Sequence, residues 1–175
     1  MKTCIHVGAH HAEECYPGYD IVHWIEADPG QWARLSHLNL HKFAALDYDG
    51  ETTFYRRNVS MASSILPLCP DEKDFTGKPL SIIDAVTVPC YRLDTVFKDL
   101  ACLNLLVIAV EGAELHVLRG ACELLIRTEE VRIELLALHG YPTQEEYSAL
   151  LHDFVFMEKC PYHGGYNSDL RYKRK

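Results

Sequence analysis

Apolar positions recur in short runs that turn residues interrupt, and the runs carry two different periods. Residues 3–8 (TCIHVG) and 21–26 (IVHWIE) read as strands, the first closed by a glycine. Between them, residues 10–16 predict a short helix stopped by Pro17 and Gly18. Asp28-Pro29 predicts a helix start, with Trp32, Leu35 and Leu38 along one face, and residues 42–46 predict a third strand. Asp49-Gly50 then separates two apolar stretches, 43–46 and 52–55, and predicts an antiparallel pair between them. Residues 58–84 hold three prolines and a charged cluster and predict a long irregular loop.

The second half repeats the alternation. Residues 85–93 have strand character, and Asp94 predicts a short helix. Residues 103–110 (LNLLVIAV) are continuously apolar, as in a strand covered on both faces. A helix is predicted over 112–127, with Leu115, Leu118, Cys122 and Leu125 on one side, and a strand over 131–136. Thr143 with Glu146 three residues on forms a capping box for a helix to Leu151. Residues 154–158 and 170–173 close the chain as two strands. Strands alternating with helices predict an α/β fold with a mostly parallel sheet, and right-handed crossovers gather the strand C-termini on one edge, where such folds bind ligands. Residues 1–175 are expected to form a single domain, with 58–84 as a substrate-side loop.

Composition narrows the classes. The 175 residues are 48% hydrophobic and 24% charged, an ordinary globular balance, and the net charge is −8. An acidic chain is a poor partner for a phosphate backbone, so nucleic acid is not expected. No apolar run approaches the ~20 residues of a membrane span, and residues 1–11 (MKTCIHVGAHH) hold no long apolar run, so a signal peptide is not expected. The seven cysteines are odd in number and form no CxxC pair, and Cys4, Cys90, Cys102 and Cys122 lie in apolar stretches. They are expected as buried thiols of a cytoplasmic protein without membrane partners.

Four constellations could carry chemistry. Gly8-Ala9-His10-His11 follows the first strand, and Glu26 ends the second, 18 residues beyond Gly8. That spacing suits a carboxylate that accepts hydrogen bonds from ribose hydroxyls, although the GxGxxG fingerprint is absent; the alternative is a solvated strand end. Glu111 and Glu114 follow the buried strand at a helix start, where acids are also favoured by the helix dipole alone. His10, His11, Glu13 and Glu14 lack the HExxH spacing, and no metal is expected. Ser63-Ser64 sits in no GxSxG elbow, which excludes a hydrolase of that type.

The strings HVGAHHAEE, WIEADP, DYDGETTFY, SMASSIL, VPCYRLDTV, AVEGAELHVLRGA and VRIEL stand here in the order seen in FkbM-type methyltransferases. The resemblance runs from about residue 3 to 172, and VEGAELHVLRGA with the upstream RLDTV is its most specific part. It implies the Rossmann-like class I methyltransferase fold: a mostly parallel seven-stranded sheet with one antiparallel strand and helices on both faces. It implies S-adenosylmethionine as cofactor and a hydroxyl of a sugar or small molecule as methyl acceptor. By the same resemblance Gly8, Ala9 and His10 lie beside the methionine part of the cofactor. Glu26 holds the ribose, Ala27 flanks the adenine, and Asp47 is a candidate for the adenine edge. Ser64, with Ser63, matches a serine-rich loop that meets the cofactor. Glu111 stands where the methyl group is delivered and is the first candidate base, with His10 and His139 behind it. Asp94, Glu114 and Glu134 match recurrent acids of structural role.

The chain departs from that pattern at three positions. His6 and Ala109 stand where the family has Asp, and Ala12 where it has Gly. Ala12 puts a methyl group on the cofactor loop, and Ala109 removes a carboxylate beside the acceptor. These changes set up the alternative of a degenerate methyltransferase-fold binding protein without catalytic activity. A dinucleotide-dependent oxidoreductase is disfavoured by the missing phosphate-cradling glycines. Exposed sheet edges make a homodimer possible.

Overall fold

Strand β1 (Thr3–Val7) is buried along its whole length, and the rest of the molecule is arranged around it. The chain continues through β2 (Ile21–Glu26), β3 (Leu40–Lys42), β4 (Ala44–Ala45), β5 (Gly50–Arg57) and β6 (Ile82–Tyr91). It then forms α1 (Leu93–Val96), β7 (Leu103–Ile108), α2 (Glu114–Arg119), α3 (Cys122–Ile126), β8 (Thr128–Leu136), α4 (Gln144–Leu150), β9 (Phe154–Pro161) and β10 (Asn167–Arg174). This is a computed structural model, and it describes residues 1–12, 14–74, 76–136, 141–161 and 167–175.

Seven strands form one sheet in the order β3-β2-β1-β7-β8-β10-β9, and only β10 runs against its neighbours. The chain winds outward from β1 through β2 to β3, then returns to β7 on the other side of β1. The order therefore reverses between β1 and β7, and the crevice beyond their C-terminal ends is where an open α/β sheet binds ligands. Side chains alternate across the sheet. Ile5, Val7, Leu106, Ile108, Val131 and Ile133 share one face with the buried residues of α1 to α4. Cys4, Leu105 and Val107 face the other way, toward Tyr16 and Tyr19.

That second face is covered by turns. No helix forms among the described residues of 10–16: Ala12 N–H donates to Ala9 O at 2.6 Å, and both His10 and Ala12 take positive φ, 41° and 49°. Residues 28–39 also fall short of a helix. Their bonds mix three-residue spans, such as Gln31 N to Asp28 O, with a four-residue span, Leu35 N to Gln31 O. Asp28 does cap the first turn, accepting from Gly30 N at 2.8 Å, but a glycine there gives the turn little reason to propagate. Of the predicted face only Leu35 is fully buried.

The expected pairing of 43–46 with 52–55 is replaced by a three-stranded sheet with β6 in the middle. β4 pairs with it in parallel (Ala44 to Cys90) and β5 antiparallel (Thr53 to Thr87). The ten residues of β6 offer both segments a longer ladder than they could offer each other. The helix expected over 112–127 is broken in two. A Cβ on Gly120 would lie 1.9 Å from Leu46 O, so the backbone after β4 presses into the helix there. Asp94 accepts from Glu123 N at 3.1 Å and Leu124 N at 2.8 Å and restarts it as α3. The capping box at Thr143 and Glu146 is formed as expected, and α4 follows it. Cys4 and Cys90 are buried, whereas Cys102 and Cys122 are exposed: the apolar runs around the latter two turn other residues inward.

Candidate functional site

A cleft of about 610 Å³ opens at the reversal point. Its lining comes from the ends of β1, β2 and β7 (Gly8, Glu26, Glu111), from β4, and from the segment after β5 that includes Ser60, Ser63 and Ser64.

Glu26 is 6% exposed at the end of β2. Its Oε2 accepts from His10 N at 2.7 Å and its Oε1 from Asp28 N at 2.6 Å. Burial pushes its carboxyl above the ordinary range, and these backbone donors oppose the shift. Each carboxylate oxygen holds one protein donor, and a carboxylate has about four acceptor sites in all, so two neighbouring hydroxyls can still be received. The wall beyond Glu26 is apolar, built from Ala27, Phe43, Ala44, Ala45, Phe54 and Ile65, and suits a flat aromatic base.

Gly8 has φ +91°, and a Cβ built there would stand 1.8 Å from Ala109 O. The glycine is thus required first by the sheet. Ala109 N–H still donates to Val7 O at 3.0 Å, so β1 and β7 stay in register to the floor of the cleft. His10 places Nε2 3.2 Å from Ser60 Oγ and stacks on His11. Asp28 is tied to the second sheet, accepting from Arg56 Nε at 2.7 Å, while Arg56 also pairs with Asp84 at 3.0 Å.

Glu111 lies opposite, in the turn after β7, at φ +54°. Gly112 follows at φ +94°, its α-carbon against the Tyr141 ring. Ser64 Oγ donates to Glu111 O at 2.9 Å and accepts from Leu66 N at 3.1 Å, so this buried serine holds the backbone of the turn. Burial raises the Glu111 carboxyl well above the ordinary range; Glu134 and Glu114 raise it further and Arg57 opposes them. Glu114 is committed elsewhere, to Val110 N, Gly112 N and Tyr147 O–H, and braces the turn.

Gly8, His10, Glu26, Ala27, Ser64 and Glu111 are thus brought together around one cleft. Ala9 is not among the lining residues; it packs with Trp24 and Leu35 on the far face of the sheet. Asp47 also lies off the lining, 3.2 Å from His116 Nδ1. His139 lies outside the described residues. His6 is buried against Trp24 and bonds Tyr16 O–H at 2.7 Å through Nδ1, away from the cleft. Ala109 is among the residues that line the cleft.

Sequence reasoning missed Asp28, Gln31 and Ser60 in the lining, and the Arg57–Glu72–Tyr141 group beside it. No local signal marked Arg57, because β5 (GETTFYRR) is a mixed polar strand and a charge at its end is ordinarily solvated.

The profile of the methyltransferase FkbM domain matches residues 6–164. No curated protein is similar to the chain in sequence. A solved TehB-like SAM-dependent methyltransferase from Corynebacterium glutamicum is similar in fold, with a TM-score of 0.50 at 9% identity over 99% of this chain and 80% of that one. The mitomycin 7-O-methyltransferase MmcR gives 0.47 at 10% identity over 99% and 49% of the two chains. OxaC in complex with SAH and oxaline gives 0.46 at 8% identity over 99% and 42%.

Proposed function

From the premise that the chain belongs to the FkbM methyltransferase family, we propose that its cleft binds S-adenosylmethionine and that the protein methylates a hydroxyl of a sugar or small-molecule acceptor. The observation that carries this reading is Glu26: a buried carboxylate at the end of β2, oriented by two backbone donors and opening onto a cleft with an apolar wall. Those residues fit the cofactor. Glu26 would receive the two ribose hydroxyls, the wall from Ala27 to Phe54 would hold the adenine, and Gly8 with His10 would border the amino-acid end.

The bound cofactor supplies a methyl group on a positively charged sulfur, so transfer is a displacement that leaves a neutral thioether. The protein's part is then to align the acceptor oxygen and remove its proton as the new O–C bond forms. Glu111 is the candidate for that proton. Its raised pKa makes it a stronger base than an ordinary carboxylate once it is ionised, and its backbone is pinned by Ser64 and by the Gly112–Tyr141 contact. His10 stands on the same cleft and could relay the proton outward.

Calorimetric titration with S-adenosylmethionine and S-adenosylhomocysteine tests the reading, with Glu26→Gln as control. Micromolar binding by the wild type that weakens at least about tenfold in the variant is expected, since one charge-assisted pair is worth ~1.5–3 kcal/mol. No binding by the wild type overturns the proposal. Binding without turnover across panels of sugar and small-molecule hydroxyls would leave a binding protein in place of an enzyme.

A further inference from the structure

Arg57 ends β5 at 2% exposure, and a guanidinium so deeply buried must be paired or it costs several kcal/mol. Its Nη1 donates to Glu72 Oε1 at 2.8 Å and toward Tyr141 O–H at 3.3 Å, and its Nη2 to Leu66 O at 3.2 Å. Among the described residues its Nε is buried without a hydrogen-bond partner. Tyr141 O–H donates to the same Glu72 Oε1 at 2.6 Å, and Glu72 Oε2 accepts from Cys69 N at 2.9 Å. Three segments distant in sequence therefore meet in one buried polar group: the end of β5, the 58–84 segment, and the chain just before α4.

Two routes lead from this group to Glu111. Arg57 N–H donates to Ser63 Oγ at 3.1 Å, and the next residue, Ser64, holds the Glu111 carbonyl. On the other side, the Tyr141 ring lies against Gly112, the residue after Glu111. Arg57 itself does not line the cleft. Among the described residues, the main charges acting on Glu111 are Glu134 on β8, Glu114 on α2, Glu72 on the 58–84 segment, and Arg57. Glu26, Asp28 and His10 share the cleft with it. Of the four groups acting directly on Glu111, Arg57 is the cation.

We propose that Arg57 is a positioning residue for Glu111, acting through the buried Arg57–Glu72–Tyr141 group to hold the Glu111–Gly112 turn and to fix the charge that Glu111 carries. The significance for catalysis rests on the reading of Glu111 as the base. The pairing with Glu72 matters as much as the cation. Glu72 offsets part of the Arg57 charge, so the two residues set opposite limits on how readily Glu111 ionises.

Titration of the glutamate side-chain carboxyls by carbon-13 NMR tests this on the full chain, with Glu111→Gln to assign the signal. Arg57→Met is expected to move the Glu111 midpoint up and Glu72→Gln to move it down. Each shift should be about one pH unit, the size of a unit charge acting across roughly 10 Å at an effective dielectric constant of about 20. Arg57→Lys, which keeps the charge and loses the planar fork, is expected to restore most of the wild-type midpoint. A purely structural role would move all three variants the same way, or none. That outcome, or an unmoved Glu111 signal, overturns the proposal. Should Arg57→Met not fold, the Glu72→Gln and Arg57→Lys midpoints still decide it. The titration needs neither cofactor nor acceptor. Opposite shifts without S-adenosylmethionine binding would therefore retire the functional reading alone, and intact binding with unmoved midpoints would retire the clamp alone.

Discussion

Replacing Ala12 by glycine should make this protein more stable. Ala12 occupies the left-handed region at φ +49°, in a turn closed by its own N–H on Ala9 O at 2.6 Å. An L-residue held there loses about 1–2 kcal/mol to contact between its Cβ and the following carbonyl. Glycine removes that contact but loosens the unfolded chain by about 0.4–1 kcal/mol. The difference leaves a net gain of about 0.5–1 kcal/mol, or about 1–4 °C in Tm for a chain of this length. Urea unfolding and differential scanning calorimetry both read it; the urea midpoint should rise with an unchanged m-value. Ala9→Gly is the internal control. Ala9 is buried against Trp24 and Leu35 and is absent from the positive-φ residues, so glycine there should cost about 1 kcal/mol. A neutral or destabilising Ala12→Gly beside a normally behaving control would refute the strain argument.

Gly8→Ala should be severely damaging. Its Cβ would meet a backbone carbonyl at 1.8 Å, which no rotamer can relieve, so a loss above ~3 kcal/mol or failure to fold is expected; near-wild-type urea stability would contradict the β1–β7 contact. Acidification should weaken the fold through His6, which burial depresses from 6.5 to about 4. The unfolded chain takes up this proton first, so the contribution is complete above pH 6.5 and is lost as pH falls through 6.5 toward 4. It amounts to about 3 kcal/mol across that window. His6→Gln should flatten that part of the urea stability profile, and an unchanged slope would exclude His6 as its source.

The parts of the fold legible in the sequence were those where periodicity and local chemistry agree. The apolar run of β7, the strand ends at Val7 and Glu26, and the Thr143 capping box needed no tertiary information. Two of the failures share one cause, a distant backbone overriding a local preference. Residues 112–127 have helical periodicity throughout, yet Leu46 O pushes in at Gly120. Residues 43–46 and 52–55 flank a good turn, yet both pair with β6 instead. The site divides the same way. Glu26, Gly8 and Glu111 could be found by spacing from strand ends. Arg57, Glu72 and Tyr141 could not, because 84 positions separate the first from the last.

The two backbone donors to Glu26 also divide the cleft by how it can open. His10 N and Asp28 N come from the loops after two adjacent central strands, and one buried carboxylate binds both. Those amides can be released to solvent only when the β1–β2 ends part, so they should exchange with deuterium as slowly as the strands themselves. The rim at residues 60–72 meets the smaller sheet only through the backbone bridge between Ser64 and Tyr55, and otherwise hangs on side-chain bonds from Ser64, Arg57 and Glu72. Away from that bridge its amides should belong to a smaller opening unit with a lower free energy. A molecule could then enter past the rim while the floor that grips it stays folded.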